Sequence, residues 1–348
     1  MTLERDPSFK ILFRADARPD LGGGHIMRCL SLASTLNARG VQIAFACAQG
    51  SVDLVPALGR SGFEVLDADG PRDIPCPKHW AGPPDAIFID LYQSDRADET
   101  ALRANAKIIA VIEDLPERIH DCDLLVDQGF KRSKQDYLGR VPAHTNLLLG
   151  AHMVPLRPAF ARRRTEALKR RQTVSSPERV LIAMGLTDLD GISARMARIV
   201  RRELPNARID VILGPTAPSL EILTDWARDD DHMSVLVDVD DMADYMSAAD
   251  LAIGAGGGTA LERCVLGLPS ILLVLADNQR IAAQALAEDG AVLMVDTTAE
   301  PELEVAHLLQ TLTPTSLRHL ALNAASVCDG RGAEHIADAL LQLVADGA

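Results

Sequence analysis

Two glycine-rich stretches hold the residue types that can do chemistry. The first runs from Arg14 and Asp16 through Gly22, Gly23 and Gly24 to His25 and Arg28. It leaves an apolar run, turns on the glycines and enters a helical pattern with His25 near the first turn. Glycines let the backbone approach a ligand closely, and the free N–H groups of a helix start favour an anion or a carbonyl oxygen. The helix dipole disfavours an imidazolium there, which biases His25 toward the neutral form that accepts a proton from water. A general base is one reading of His25, and a structural histidine bonded to a loop carbonyl is the other. The spacing is not the GxGxxG of a dinucleotide fingerprint.

The second stretch runs from Asp250 through Gly254, Gly256, Gly257, Gly258 and Thr259 to Glu262, Gly267 and Pro269. Its glycines and Thr259 can cradle a diphosphate at a helix start without a metal. Glu262 lies one turn into that helix, where an ionised carboxylate can accept both hydroxyls of a ribose. A tight turn with a solvent-facing glutamate is the bland alternative. Ala276, Asp277, Asn278 and Gln279 follow the next apolar run, so a second polar strand end lies beside the first and favours the ligand reading. A third set, Asp90, Leu91 and Tyr92 with Glu113 and Asp114, closes two further apolar runs. Carboxylates at strand ends orient a histidine, hold sugar hydroxyls or cap the following turn, and capping is the default for any one of them. The pairs Asp188/Asp190 and Asp238/Asp240 are what chance provides among 49 acidic residues, and no metal site is inferred.

These residues must be positioned by alternating strands and helices. Short β-type runs are expected at 10–13, 42–46, 86–90, 107–112, 124–127 and 146–149, with helices over 26–36, 53–61 and 95–105. A polar break with a proline at 173–177 follows a basic helix. A second alternation has strands at 179–184, 208–213, 234–237, 251–254, 270–275 and 291–295, with helices including 192–203, 242–248 and 260–266. The last apolar-periodic stretch, 333–344, is a helix able to cross back onto the first domain. The pattern predicts two doubly wound, Rossmann-like parallel-sheet α/β domains, 1–172 and 177–348. Ligands of such sheets bind outside the carboxyl ends of the strands, so the active site is expected in a cleft between the domains.

Bulk composition agrees with that class. The chain has 348 residues, 47% of them hydrophobic and only 3% aromatic, so the cores are filled by Ala, Val, Leu and Ile. A net charge of −14 disfavours a phosphate-tracking surface. The dense basic run, Arg162 to Arg171, reads as the solvated face of a helix, and nucleic acid is not an expected partner. Six scattered cysteines fit buried free thiols, and no apolar run approaches the roughly 18–20 residues that cross a bilayer, so a cytoplasmic location is expected.

The stretches FRADARPDLGGGHIMRCLSLA, EDLPERIHDCDLLVDQ, LLGAHMVPLRPAF, DDMADYMSAADLAIGAGGGTALERCVLGLPSILLVLADNQ and CDGRGAEHIAD together resemble a known family. It is that of the UDP-2,4-diacetamido-2,4,6-trideoxy-β-L-altropyranose hydrolases of pseudaminic acid biosynthesis, with the related spore-coat polysaccharide proteins. The resemblance implies the GT-B arrangement shared with the undecaprenyl-linked muramyl-pentapeptide N-acetylglucosaminyltransferase, with UDP held by the second domain. It implies that His25 is the base, with Asp90 and Tyr92 beside it, and that Glu262 binds the ribose. Gly256, Gly257, Gly258 and Thr259 match the diphosphate loop. Arg14, Asp16, Gly24, Asn278 and Gln279 are expected around the sugar. The implied reaction is inverting hydrolysis at the anomeric carbon, without metal or other cofactor, that releases UDP and a free sugar for nonulosonic acid synthesis and flagellin glycosylation. This chain departs from the family at Leu91, Glu113, Leu186, Gly258 and Leu261. A GT-B glycosyltransferase and a non-catalytic nucleotide-sugar-binding protein are the rival readings.

Overall fold

The computed structural model describes residues 9–18, 22–185, 187–239, 241–298 and 300–347, with the side chain of Asn278 excepted. Leu186 and Asp240 lie outside the described residues. The chain divides into two compact units, Met1–Pro158 with Arg331–Ala348, and Ala159–Gly330.

In the first unit, strands β1 (Lys10–Ala15), β2 (Gln42–Cys47), β3 (Glu64–Asp67), β4 (Ala86–Asp90), β5 (Ile108–Ile112), β6 (Leu124–Asp127) and β7 (Asn146–Leu149) form one sheet. Their order is β3-β2-β1-β4-β5-β6-β7, and every pairing is parallel. The helices between are α1 (Gly24–Asn37), α2 (Ser51–Leu54), α3 (Pro56–Arg60) and α4 (Arg96–Leu102). Both faces of β1 are covered, since Ile11, Leu12 and Phe13 are all fully buried, and this is why the strands read as unbroken apolar runs. The single helix expected over 53–61 is two short ones. Pro56 has no N–H to continue α2, and Val55 leaves the helical region at φ −127°. Strand β3, half exposed at the sheet edge, has no apolar run to announce it.

The second unit opens with α5 (Pro158–Arg171), only the first residue of which belongs to the first unit. Its strands are β8 (Arg179–Ala183), β9 (Arg208–Leu213), β10 (Met233–Val237), β11 (Leu251–Ala255), β12 (Ser270–Val274) and β13 (Leu293–Asp296). They are again all parallel, in the order β10-β9-β8-β11-β12-β13. Its other helices are α6 (Ile192–Glu203), α7 (Leu220–Arg228), α8 (Met242–Ala248), α9 (Thr259–Val265), α10 (Asp277–Glu288), α11 (Pro301–Thr311) and α12 (Pro314–Val327). Finally α13 (Gly332–Asp346) packs Ile336, Ala337, Leu340 and Val344 into the first unit's core, with Phe13 and Leu36. A side chain at Gly332 would clash with the backbone of Met153 and Val154, so glycine lets this helix start against the first unit.

The division therefore falls at Pro158 and at Gly330, not at the polar break over 173–177, and the reason is the basic helix. Arg164 donates to the carbonyls of Cys328 at 3.0 Å and Ala325 at 2.7 Å, and also to that of Val265. Arg171, 4% exposed, donates to Met246 O at 2.8 Å and to Ala249 O. Arg170 pairs with Asp250 at 2.6 Å. Arg164 and Arg171 satisfy carbonyls at the ends of α8, α9 and α12, where cations also suit the helix dipoles. Arg162, Lys169 and Arg170 keep the exposed face read from the sequence, while Arg164 and Arg171 turn inward and fix α5 to the second unit.

Candidate functional site

In both sheets the strand order reverses beside the first strand of the unit, between β1 and β4 and between β8 and β11. Such switch points leave a crevice at the carboxyl ends of the strands. Each glycine stretch follows one of the strands at its switch point.

In the first unit, Gly22 takes φ +76°, and a Cβ at Gly23 would meet Val55 at 2.7 Å. The turn therefore needs glycine twice before α1 begins at Gly24. Among the described residues no side chain caps α1, and nothing lies near the Cβ position of Gly24, which is exposed. His25, 7% exposed, is the second residue of the helix. The register that pairs Ala15 with Asp90 brings the end of β4 next to it.

The contacts form a connected network. His25 Nδ1 lies 2.5 Å from Asp90 Oδ1. Arg28, one turn along α1, donates to both Asp90 oxygens, from Nε at 2.5 Å and Nη2 at 2.6 Å, and through Nη1 to Asp114 at 2.9 and 3.0 Å. Tyr92 OH donates to Asp114 at 3.0 Å, and the Tyr92 ring meets the His25 ring edge-on, centroids 4.7 Å apart. Burial pushes the Asp90 carboxyl up, but Arg28 and His25 outweigh it and hold Asp90 well below the usual carboxylate range. Burial likewise opposes the charge on Arg28, while Asp90 and Asp114 on either side raise it well above its ordinary value. With Asp90 ionised, the imidazole proton belongs on Nδ1, and Nε2 keeps its lone pair for a proton from elsewhere. Tyr92, 38% exposed, is shifted upward by burial and then by Asp114, so it is a hydroxyl donor.

Strand alternation explains one departure from the family pattern. Leu91 points away from Asp90 and Tyr92 into an apolar cluster with Ile87 and Ile89, so an apolar residue there leaves the site intact. Glu113 explains another. Its Oε1 accepts from the N–H groups of Asp114 and Leu115, both at 2.7 Å, and its Oε2 from His120 Nε2 at 2.8 Å and Arg118 at 2.9 Å. His120 Nδ1 reaches Glu99 at 2.7 Å. This buried imidazole between two carboxylates anchors the turn that carries Asp114. Burial opposes its charge, yet Glu113 and Glu99 raise its pKa from 6.5 to about 9. A raised histidine contributes stability that is whole below its ordinary pKa and is lost as pH climbs through the folded value. The melting midpoint of the wild type is accordingly expected to fall between pH 7 and 10 by about 5 °C more than that of His120→Gln. Equal slopes for the two proteins in thermal melts would remove this role.

Arg14 does not present itself to a ligand. It is fully buried, paired with Asp16, and bonded to the carbonyls of Gly70 at 2.9 Å and Ala46 at 3.2 Å, while Asp16 accepts from Ala48 N at 2.7 Å. The pair ties the loop after β1 to the ends of β2 and β3. Arg28 is the residue that sequence reasoning passed over. It sits three positions after His25, hence on the same helix face, and that spacing is the available signal.

In the second unit, β11 runs into Gly256, Gly257 and Gly258, and α9 starts at Thr259. A Cβ at Gly256 would meet Leu272 at 2.9 Å and Gln279 at 3.3 Å, whereas Gly258 is open. Gln279 thus lies against the loop, with its Oε1 accepting from Leu275 N at 3.2 Å. Glu262 is half-buried in the first turn of α9. Asn278 is in α10, but its side chain lies outside the described residues. Asp188 is a local anchor, accepting from Ser193 N at 2.8 Å and Ser219 N at 3.0 Å. Among the described residues no three His, Cys, Asp or Glu side chains form a group that could hold a metal ion, and no helix is long and apolar enough to cross a membrane.

Comparison with known proteins agrees with this architecture. Residues 196–340 match the glycosyltransferase family 28 C-terminal domain. The chain is 23% identical to the UDP-2,4-diacetamido-2,4,6-trideoxy-β-L-altropyranose hydrolase of Campylobacter jejuni over 81% of its own length and 97% of the relative's. It is also 23% identical to the spore coat polysaccharide biosynthesis protein SpsG of Bacillus subtilis, over 80% and 81% of the two chains. The crystal structure of MurG from Acinetobacter baumannii superposes with a TM-score of 0.66 at 16% identity, covering 97% of this chain and all of that one. The fold is GT-B, with two Rossmann-like domains, and the sequence resembles the hydrolases and the spore-coat proteins.

Proposed function

We propose that this GT-B chain, similar to the UDP-diacetamido-trideoxy-altropyranose hydrolases, hydrolyses a UDP-linked 2,4-diacetamido-2,4,6-trideoxyhexose at its anomeric carbon without a metal. The observation that carries the proposal is His25 held through Nδ1 by an ionised, buried Asp90. This is the arrangement a general base requires: one nitrogen fixed by a carboxylate, the other left for water. Water attacks the anomeric carbon as its proton passes to His25 Nε2. The carbon–oxygen bond to the diphosphate breaks, UDP leaves with the electron pair, and the sugar inverts. Two carboxylates against one guanidinium leave the cluster net negative, which suits both an imidazolium and the positive character that develops on the sugar ring. Tyr92 and Gly24 are assigned to the sugar side, and the Arg14–Asp16 pair to holding the loop after β1. In the second unit, the backbone of Gly256, Gly257 and Gly258 with Thr259 would hold the diphosphate, Glu262 the ribose, and Asn278 and Gln279 the donor.

The match to a glycosyltransferase domain supports a second reading, transfer to an acceptor hydroxyl in place of water. One experiment separates the two. In EDTA and ¹⁸O-water, the purified chain is expected to release UDP and a free sugar that carries the label at its anomeric oxygen. Label in UDP would mean attack at phosphorus and would overturn the role of His25. Turnover that starts only when an acceptor is added would establish transfer.

A further inference from the structure

Beneath the glycine turn of the second unit lies a buried guanidinium, that of Arg263. Arg263 is 1% exposed, and among the described residues no carboxylate forms an ion pair with it. Its Nη2 donates to the carbonyl of Ala255 at 2.7 Å, its Nη1 approaches Thr259 Oγ1 at 3.4 Å, and its Nε has no partner. Ala255 closes β11 and Thr259 opens α9, so the guanidinium sits under the turn formed by Gly256, Gly257 and Gly258. The strand is shaped to admit it. A side chain at Gly254 would clash with Nη1 and would lie 2.8 Å from the carbonyl of Ala183, although glycine inside a buried strand is otherwise a destabilising choice. Burial lowers Arg263 to about 10, and the neighbouring Cys264 and Glu262 offset that only in part.

A buried, unpaired charge is unfavourable unless something brings an opposite charge to it. Among the described residues nothing lies within 4 Å of the Cβ position of Gly258, and Gln279 Nε2, at 3.9 Å, is the one atom near that of Gly257. We propose that Arg263 is the fixed counter-charge of this loop, a positioning residue that makes the turn select a diphosphate over a monophosphate. It acts from below, by holding Ala255 and Thr259 in place and by adding positive potential under the N–H groups that face the ligand. A merely structural strut would weaken every ligand of the loop alike, whereas a counter-charge weakens the more highly charged one more. The inference rests on the UDP reading for its ligand, but the test separates the two.

Calorimetric titrations of UDP and UMP into the wild type, Arg263→Lys and Arg263→Gln are the measurement. The ratio of UDP to UMP affinity is expected to fall about tenfold in Arg263→Gln and to return most of the way in Arg263→Lys. A ratio within twofold of wild type in a folded Arg263→Gln overturns the proposal. If that variant does not fold, the wild type and Arg263→Lys decide the matter with inorganic pyrophosphate alone, which is expected to raise both melting midpoints. No rise in either overturns the proposal. A wild type stabilised by pyrophosphate that fails to bind UDP would sink the UDP reading and leave the anion site standing.

Discussion

His25→Ala is expected to lower kcat for sugar release by about 10³-fold or more and to leave UDP affinity within about twofold of wild type. The two halves of this expectation have separate origins. His25 belongs to the first unit, where its Nδ1 bond to Asp90 leaves Nε2 as the acceptor for the water proton. The residues assigned to UDP, from Gly256 to Glu262, belong to the second. Without the imidazole, water must lose its proton to solvent, so the chemical step suffers and ground-state binding does not. The ring is buried, 7% exposed and packed edge-on against Tyr92, so the folded state of His25→Ala is checked by its thermal melt before kinetics are compared. Single-turnover kinetics with a UDP titration measure both quantities. A kcat within tenfold of wild type would show that another group takes the proton, and a parallel loss of UDP affinity would show that the nucleotide depends on His25.

Much of this site was legible in the sequence because parallel, doubly covered strands read as bare apolar runs, with the polar residues that end them displayed one by one. Asp90, Tyr92, His25 and the two glycine stretches all stand at such ends. Their pairing was not legible. Asp90 lies 65 positions after His25, and only the strand order, which sets β4 beside β1, brings them within hydrogen-bond distance. Strand order is fixed by packing across the whole sheet, and no local spacing encodes it. Within the basic run over 162–171, the inward Arg164 and Arg171 were not legible for a related reason: an arginine that caps a distant carbonyl and one that faces water, as Arg162 does, have the same neighbours in sequence. Leu91 looked like a departure until the alternation of β4 turned it toward Ile87 and Ile89. Glu113 likewise departs from the family pattern, and its carboxylate is the one that reaches His120. Arg263 carried no signal of its own. An arginine on a short helix is ordinarily a surface residue, and only its burial under the turn marks it out.

Asp90→Asn is expected to reduce kcat by roughly 10³-fold with the fold retained, and to add almost nothing to His25→Ala. Asp90 does two things for the imidazole: it accepts the hydrogen bond from Nδ1–H and so keeps the proton on that nitrogen, and it stabilises the imidazolium that forms when Nε2 accepts a second proton. An asparagine that offers its N–H to Nδ1 drives the proton to Nε2, the wrong tautomer for a base, and brings no charge against the imidazolium. Arg28 still has Asp114, at 2.9 Å, so the buried guanidinium keeps one carboxylate, and the loss of stability is expected to be about 1–3 kcal/mol. The pH profile gives an independent check. Because Arg28 and His25 hold Asp90 below its ordinary value, the stability it contributes is present above that ordinary value and is lost only as pH falls through the lower folded one. Asp90 therefore stays ionised throughout the neutral and mildly acidic range, and any acid limb of kcat/KM there belongs to a different group. In the double mutant, kcat is expected to match that of His25→Ala alone, because a carboxylate that acts through the imidazole has nothing left to act on. Multiplicative losses would mean that Asp90 touches the sugar or the water itself, and His25 would then no longer be the sole route by which the proton leaves.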